Sequence, residues 1–289
     1  MDRPRLSRNA TSARLGAVLL VATALGLPPT AQAQSCPQNK GLRSTVVVSS
    51  YVAVQAVAIA VRHDDWWPDD STRSFHFTWD QSPSLGQDRL LHAYLAYQVS
   101  QIGALAWDWA CFGPVAAGWL GFALGAAATL PKEIGDGFQE GFDVPDFLAG
   151  VVGAALPAMH RTWEPSKALL LKFNYWPSEE YKNRTGGQPQ LESDYAGMRF
   201  YLAFNPGRMP GGAQPWPDWL GIAAGHSINA WLVDPQDKHE QWYLALDLNF
   251  RGIPIKAKWW HSVATVLDQF HMPLPGIKVE AGTVSFGFY

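Results

Sequence analysis

Uncharged runs broken by short charged clusters fill the first half of this chain, and alternation of apolar with polar residues takes over in the second. After a polar lead-in over residues 35–44, Thr45 to Val61 is uncharged and closes on Arg62-His63-Asp64-Asp65. Its β-branched content would suit a buried strand, but a helix slightly short of a full bilayer span is expected. An acidic, aromatic loop follows, DDWWPDDSTRSFHFTWDQSPSLGQ, in which Trp66, Trp67, Phe75, Phe77 and Trp79 sit beside charges as at a membrane interface. Ser84 is placed to cap a helix from about Leu85 to Ala104, with Leu91, Leu95 and Val99 as its packing stripe. Trp109 to Pro131 carries no charge, and its Gly113, Gly118, Gly121 and Gly125 make a small-residue face that allows close helix approach. Asp143 reads as the cap of a further helix from Pro145 to about His160, with another small face at Gly150, Gly153 and Ala154.

Past residue 165 the period changes to two. LLLKFNYWP (169–177), MRFYLAFN (198–205), QWYLALDLNF (241–250) and TVSFGFY (283–289) alternate, with Trp242, Leu244, Leu246 and Leu248 on one face and Tyr243, Ala245, Asp247 and Asn249 on the other. Proline and glycine clusters separate the runs. The expected fold class is therefore α+β: an apolar, membrane-associated helical bundle followed by a small antiparallel, aromatic-rich sheet with one apolar face. Four strong strands against a minimum of eight make a complete membrane barrel from this half alone unlikely.

Composition sharpens the address. Only 16% of the 289 residues are charged and 47% are hydrophobic, so the outer surface is not expected to meet water everywhere. Residues 1–33 read as an export signal: Arg3, Arg5, Arg8 and Arg14, then an apolar Leu15–Leu27, then Ala31-Gln32-Ala33 as a small-x-small cleavage site. Losing four Arg and one Asp takes the net charge from −3 to −6, with no basic stripe for nucleic acid. The resulting organisation is a signal peptide (1–33), a helical part (34–165) and a β-rich part (166–289). The expected location is the envelope of a Gram-negative bacterium, in the periplasm and membrane-associated, the outer membrane being one option. Cys36 and Cys111 are free to pair in such a compartment, and an unpaired buried Cys111 is equally ordinary.

The candidate chemistry is confined to ionisable residues at the ends of the apolar run. Asp88 and His92 are four apart and Glu133 and Asp136 three apart, spacings that turn each pair to one side of a helix. If the helices pack antiparallel, the pairs converge at one end of the bundle. Three readings stay open there: a buried polar network that fixes helix register, a carboxylate–histidine metal site, or an acid/base centre acting on a lipid or lipid-linked phosphate. In the last, His92, Glu133, Asp136 and Asp88 are the candidate catalytic residues. The chain has no GxSxG, HExxH, phosphate loop, dinucleotide fingerprint or zinc cysteine pair, and no cofactor is expected. The remaining histidines, among them His160, His226 and His271, lack ligand spacing; Lys167 and Lys172 read as snorkelling or solvated strand residues.

From about Gly86 to Trp163 the order Asp-x-x-x-His, then Tyr94 and Ser100, a small-residue helix, Lys-Glu-x-x-Asp-Gly and Asp-x-x-x-x-x-x-Gly resembles the YfiM-like family of periplasmic proteins and lipoproteins, and more distantly the VanZ-like membrane family. The resemblance maps the family's polar positions onto Asp88, His92, Glu133, Asp136 and Asp146; Arg89 and Gly150 depart from its pattern, where Lys and Asn or Asp are usual. It implies a helical layout and an envelope address, and no activity. The reading reached is an envelope protein that binds membrane lipid or a partner envelope protein.

Overall fold

The computed structural model describes residues 39–67, 72–79, 84–185, 194–211, 216–230 and 237–289; the expected signal segment lies outside them. The chain is α+β, with helical elements up to Thr162 and a six-stranded antiparallel sheet after it. The helices are α1 (Lys40–Trp66), α2 (Gln87–Trp109), α3 (Pro114–Ala126), α4 (Leu130–Gly137) and α5 (Val144–Thr162), with a two-stranded parallel pairing of β1 (Phe77–Thr78) and β2 (Phe142–Asp143) beside them. Helix α2 starts two residues later than expected and runs five further. The Ser84 hydroxyl still serves its first turn, accepting from the Asp88 amide at 3.1 Å and donating to the Asp88 carboxylate at 2.5 Å. Asp143 caps α5 as expected, accepting from the Asp146 amide.

Small residues set the spacing of this bundle. A Cβ on Gly153 of α5 would lie 2.0 Å from the Ala93 carbonyl oxygen, and one on Gly125 of α3 would lie 2.5 Å from that of Ala96. On Gly121 it would lie 2.5 Å from the Ser100 carbonyl oxygen. Backbone therefore rests on backbone along one flank of α2, the close approach that glycine permits. The residue pairing makes α3 antiparallel and α5 parallel to α2. Ser100 Oγ donates to the Ala154 carbonyl at 2.8 Å, and Arg161 grips Asp108 through two hydrogen bonds of 2.9 and 2.7 Å at the far end.

Helix α1 is joined to the bundle by one stripe. Val47 packs with Trp107, Ala110 and Ala117, the Tyr51 hydroxyl donates to the Leu124 carbonyl, and the Gln55 amide donates to that of Ala128. These two polar side chains satisfy carbonyls at the end of α3 that lack a helical partner. The other sides of α1, including Val48, Val52, Val54 and Val57, are exposed. Two helical stretches, Lys40–Asp64 and Pro114–Gly137, are long and apolar enough to cross a membrane. The second is broken over residues 127–129 into α3 and α4. Thirteen residues of α3 reach only about 20 Å, short of a bilayer core.

The sheet is a meander: β3 (Leu169–Tyr175), β4 (Met198–Phe204), β5 (Leu220–Ile228), β6 (Glu240–Leu248), β7 (Pro275–Glu280) and β8 (Thr283–Phe288), each hydrogen-bonded to the next. A short α6 (Glu179–Thr185) follows β3, and α7 (Lys258–Leu267) lies between β6 and β7. Two strands, β5 and β7, escaped the period-two pattern. In β5 the sequence LGIAAGHSI puts glycine and alanine on both faces, and β7 opens on Pro-Gly. Packing of Phe173, Met198 and Phe200 against Leu90, Leu91 and Tyr94 of α2 joins the sheet to the bundle.

Replacing Gly153 by Ala should cost about 1–3 kcal/mol or more, because the new methyl must push two backbones apart. Gly41→Ala in α1, where a Cβ meets nothing within 4 Å, should be neutral or slightly stabilising. Chemical unfolding of the two variants in detergent measures the difference.

Candidate functional site

His92 stands in the second turn of α2, Glu133 in the first turn of α4 and Asp146 in the first turn of α5. The antiparallel course of α3 brings these three starts to one end of the bundle. His92 Nδ1 lies 3.5 Å from Glu133 Oε1, and one ligand atom from each of His92, Glu133 and Asp146 falls within 4.8 Å of the others. All three side chains are buried, Glu133 almost completely. Glu133 Oε2 accepts from the Asp143 amide at 3.2 Å. Arg89 Nε approaches Asp146 Oδ1 at 3.4 Å without closing a hydrogen bond. His92 Nδ1, Glu133 Oε1 and Asp146 Oδ1 are buried with no hydrogen-bond partner.

Burial works against an ion pair at the His92–Glu133 distance, because it disfavours the charged form of each group. Burial drives the His92 imidazole down to about 4, helped by Lys132 and opposed by Asp88 and Asp136. Burial likewise pushes the Glu133 carboxyl up to about 8 against the pull of Lys132, with Asp136 and Asp146 adding to the rise. Asp146 is raised to about 7 by burial, then by Asp88 and Asp143. Removing water from a carboxyl costs more here than the nearby cations return. Tyr195, from the segment leading into β4, closes the same corner: burial, then the acids Asp88, Asp146 and Asp136, raise its hydroxyl to about 12.

The other two expected residues point to local partners. Asp136 receives the Trp67 indole N–H at 2.8 Å and the Lys132 ammonium at 2.5 Å, while Asp88 accepts from Ser84 and from the Arg89 amide. His92 and Glu133 are thus brought together, and Asp146 joins them in place of Asp136 and Asp88. The Asp143-x-x-Asp146 cap signal could have found it, since a cap fixes where the next turn's acid points. A side chain at Gly150 would enter the same corner, its Cβ 3.3 Å from Thr129 Oγ1 and 3.9 Å from the His92 carbonyl oxygen.

A second polar centre, under the sheet, was not expected. Lys172 is fully buried: its ammonium lies 2.8 Å from Asp247 Oδ2, donates to the Leu248 carbonyl at 2.6 Å and has Asp268 at 3.9 Å. His271 Nδ1 lies 2.8 Å from Asp247 Oδ1, its ring stacks on Tyr201 at 3.9 Å, and Arg251 pairs with Asp268 at 2.6 Å. Reading Lys172 as solvated is therefore corrected. In β3 it shares its face with Leu170, and that face is the inner one. His226 is also internal, its Nδ1 3.0 Å from Gln87 Oε1.

Compared with protein-family models, curated proteins and solved structures, the chain matches none.

Asp247→Asn leaves the Lys172 ammonium buried against a neutral amide and should destabilise the fold by about 3–5 kcal/mol, read as a shift of the denaturant midpoint. His160, whose Nε2 contacts the Leu169 carbonyl at 3.0 Å, is pushed down to about 4, chiefly by burial and also by Arg251 and Arg208. Between about pH 6.5 and 4 the unfolded chain binds a proton there that the folded chain does not, so stability is lost as pH falls through that window. His160→Gln, which keeps an N–H for Leu169, should flatten that slope in unfolding curves collected from pH 7 to pH 4.

Proposed function

We propose that this chain is an exported cell-envelope protein that associates with a membrane through α1 and through the outer face of its sheet, binding lipid directly. The observation that carries the reading is the polarity of the sheet. Its inner face holds Lys172, Tyr201, Tyr243 and Asp247, all buried, and its outer face holds a cross-strand row of Leu202, Ala224, Leu244, Ile277 and Phe286. Leu244 is 52% exposed, Trp242 52% and Phe286 85%. A sheet facing water places its apolar side inward. Here the inner face holds Leu170, Ala203 and Ala223 beside its charges, and a second apolar face is left exposed, as in walls that face lipid.

Three further observations support it. The 17 uncharged residues of α1, Thr45 to Val61, span about 26 Å and leave Val46, Val48, Val52, Val54 and Val57 exposed, as a helix facing hydrocarbon does. The outer sheet face is continuous with the bundle, since Phe173 and Phe200 at its upper edge pass beneath α2. The described residues hold no free cysteine and Cys111 is disulfide-bonded, while Cys36, the chain's other cysteine, lies outside them. Disulfides persist in oxidising compartments, which fits a periplasmic, YfiM-like reading.

The mature chain, diluted from detergent onto phospholipid vesicles, should float with them through a density gradient. Leu244→Asp combined with Phe286→Asp should lower the bound fraction severalfold with circular dichroism unchanged. A mature chain that stays monomeric in buffer and ignores vesicles overturns the reading.

A further inference from the structure

We propose that His92, Glu133 and Asp146 form the protein half of a binding site for one divalent transition-metal cation of the zinc or manganese type. The inference goes beyond membrane association and does not depend on it.

Three elements contribute one atom each: an imidazole nitrogen from α2 and carboxylate oxygens from α4 and α5, gathered within 4.8 Å. In a protein interior a polar atom without a partner keeps its full desolvation cost. Three such atoms close to one another, on residues no more than 6% exposed, are a concentrated cost that the 3.4 Å approach of Arg89 to Asp146 offsets only in part. A cation at their centre satisfies all three lone pairs at once. At metal–ligand distances of about 2.1 Å, neighbouring ligand atoms of a tetrahedral site lie roughly 3.4 Å apart. The His92–Glu133 separation of 3.5 Å already has that value, and the remaining separations, within 4.8 Å, need to close by at most about 1.4 Å.

Local charge points the same way. Asp88, Glu133, Asp136, Asp143 and Asp146 surround the corner, with Arg89 and Lys132 as the opposing cations. Lys132 is held by Asp136, so it does not neutralise Glu133 at contact distance. The donor set selects among cations. Calcium takes six to eight oxygens and magnesium keeps an octahedron of oxygen, whereas one imidazole with two carboxylates suits zinc, iron or manganese. Glu133 is also oriented from behind by the Asp143 amide, the kind of outer contact that aims a ligand.

The test uses the full chain purified in detergent and stripped with a chelator, titrated with zinc by calorimetry and with cobalt by visible absorption. Expected are one equivalent of either cation, cobalt bands of nitrogen–oxygen coordination and a raised unfolding temperature. Glu133→Gln and His92→Gln should each weaken zinc binding roughly 100-fold or more, beyond the loss typical of an outer-shell contact. Asp136→Asn, whose partners are Lys132 and Trp67, should keep it. The proposal is overturned if the wild-type chain takes up no stoichiometric zinc or cobalt, or if Glu133→Gln binds zinc as the wild type does. Should the variants fail to fold, X-ray absorption of the zinc-loaded wild type decides: one imidazole in an otherwise oxygen shell supports the site, and a shell without imidazole overturns it.

Discussion

Backbone pressed against backbone along α2 is the contact on which the rest of the molecule depends. Gly153 on Ala93, Gly125 on Ala96 and Gly121 on Ser100 leave no room for a single methyl group, so the axes of α3 and α5 are fixed relative to α2 at several points along its length. With that spacing set, the starts of α4 and α5 have one place to go. His92 precedes Ala93 by one residue, and the corner where it meets Glu133 and Asp146 follows from the packing rather than from attraction among the three. Burial of those groups is a consequence of the close approach, and their displaced protonation is a consequence of the burial.

The sheet solves a different problem with opposite polarity. A strand with an apolar face and a polar face is ordinarily stabilised by hiding the first. In this fold the polar face is hidden, beneath the chain that runs from β6 through α7 to His271, and its charges are balanced internally. Lys172, Asp247, His271, Asp268 and Arg251 give each other what water would have given. Such a network contributes less net stability than an apolar core of the same volume, yet loss of one member is costly. The outer face then carries the apolar side chains, and it is complementary to hydrocarbon rather than to water.

Much of this was legible in the residues. The uncharged run from Thr45 is a helix, Asp143 caps the helix it was expected to cap, and Gly118, Gly121, Gly125 and Gly153 pack as their spacing implied, whereas Gly113 is the exposed cap of α3. The alternation in QWYLALDLNF correctly divided Leu244 and Leu246 from Tyr243 and Asp247. Period two reveals which residues share a face and is silent on which face is inside, so Lys172 was misread as solvated and the exposure of the apolar face was invisible. The same limit hid β5 and β7, where glycine and alanine erase the contrast that marks a strand. For the candidate site, spacing found His92 and Glu133 but put Asp136 beside them. An indole from a distant loop, Trp67, together with Lys132 drew Asp136 aside, and no local pattern encodes a contact 69 residues away.

The two buried polar centres differ in one respect that separates structure from binding. Under the sheet, Lys172, Asp247 and His271 form short contacts with one another and with the Leu248 and Tyr289 carbonyls, so the charges of that centre are matched as the chain supplies them. At the end of the bundle, Glu133 Oε1, Asp146 Oδ1 and His92 Nδ1 make no hydrogen bond, with Arg89 Nε 3.4 Å from Asp146 and His92 3.5 Å from Glu133. Under the sheet a lysine is placed among acids. At the bundle corner the available lysine, Lys132, turns instead to Asp136. A centre left open by three lone pairs, in a protein that matches the charges of the other, is organised around something from outside.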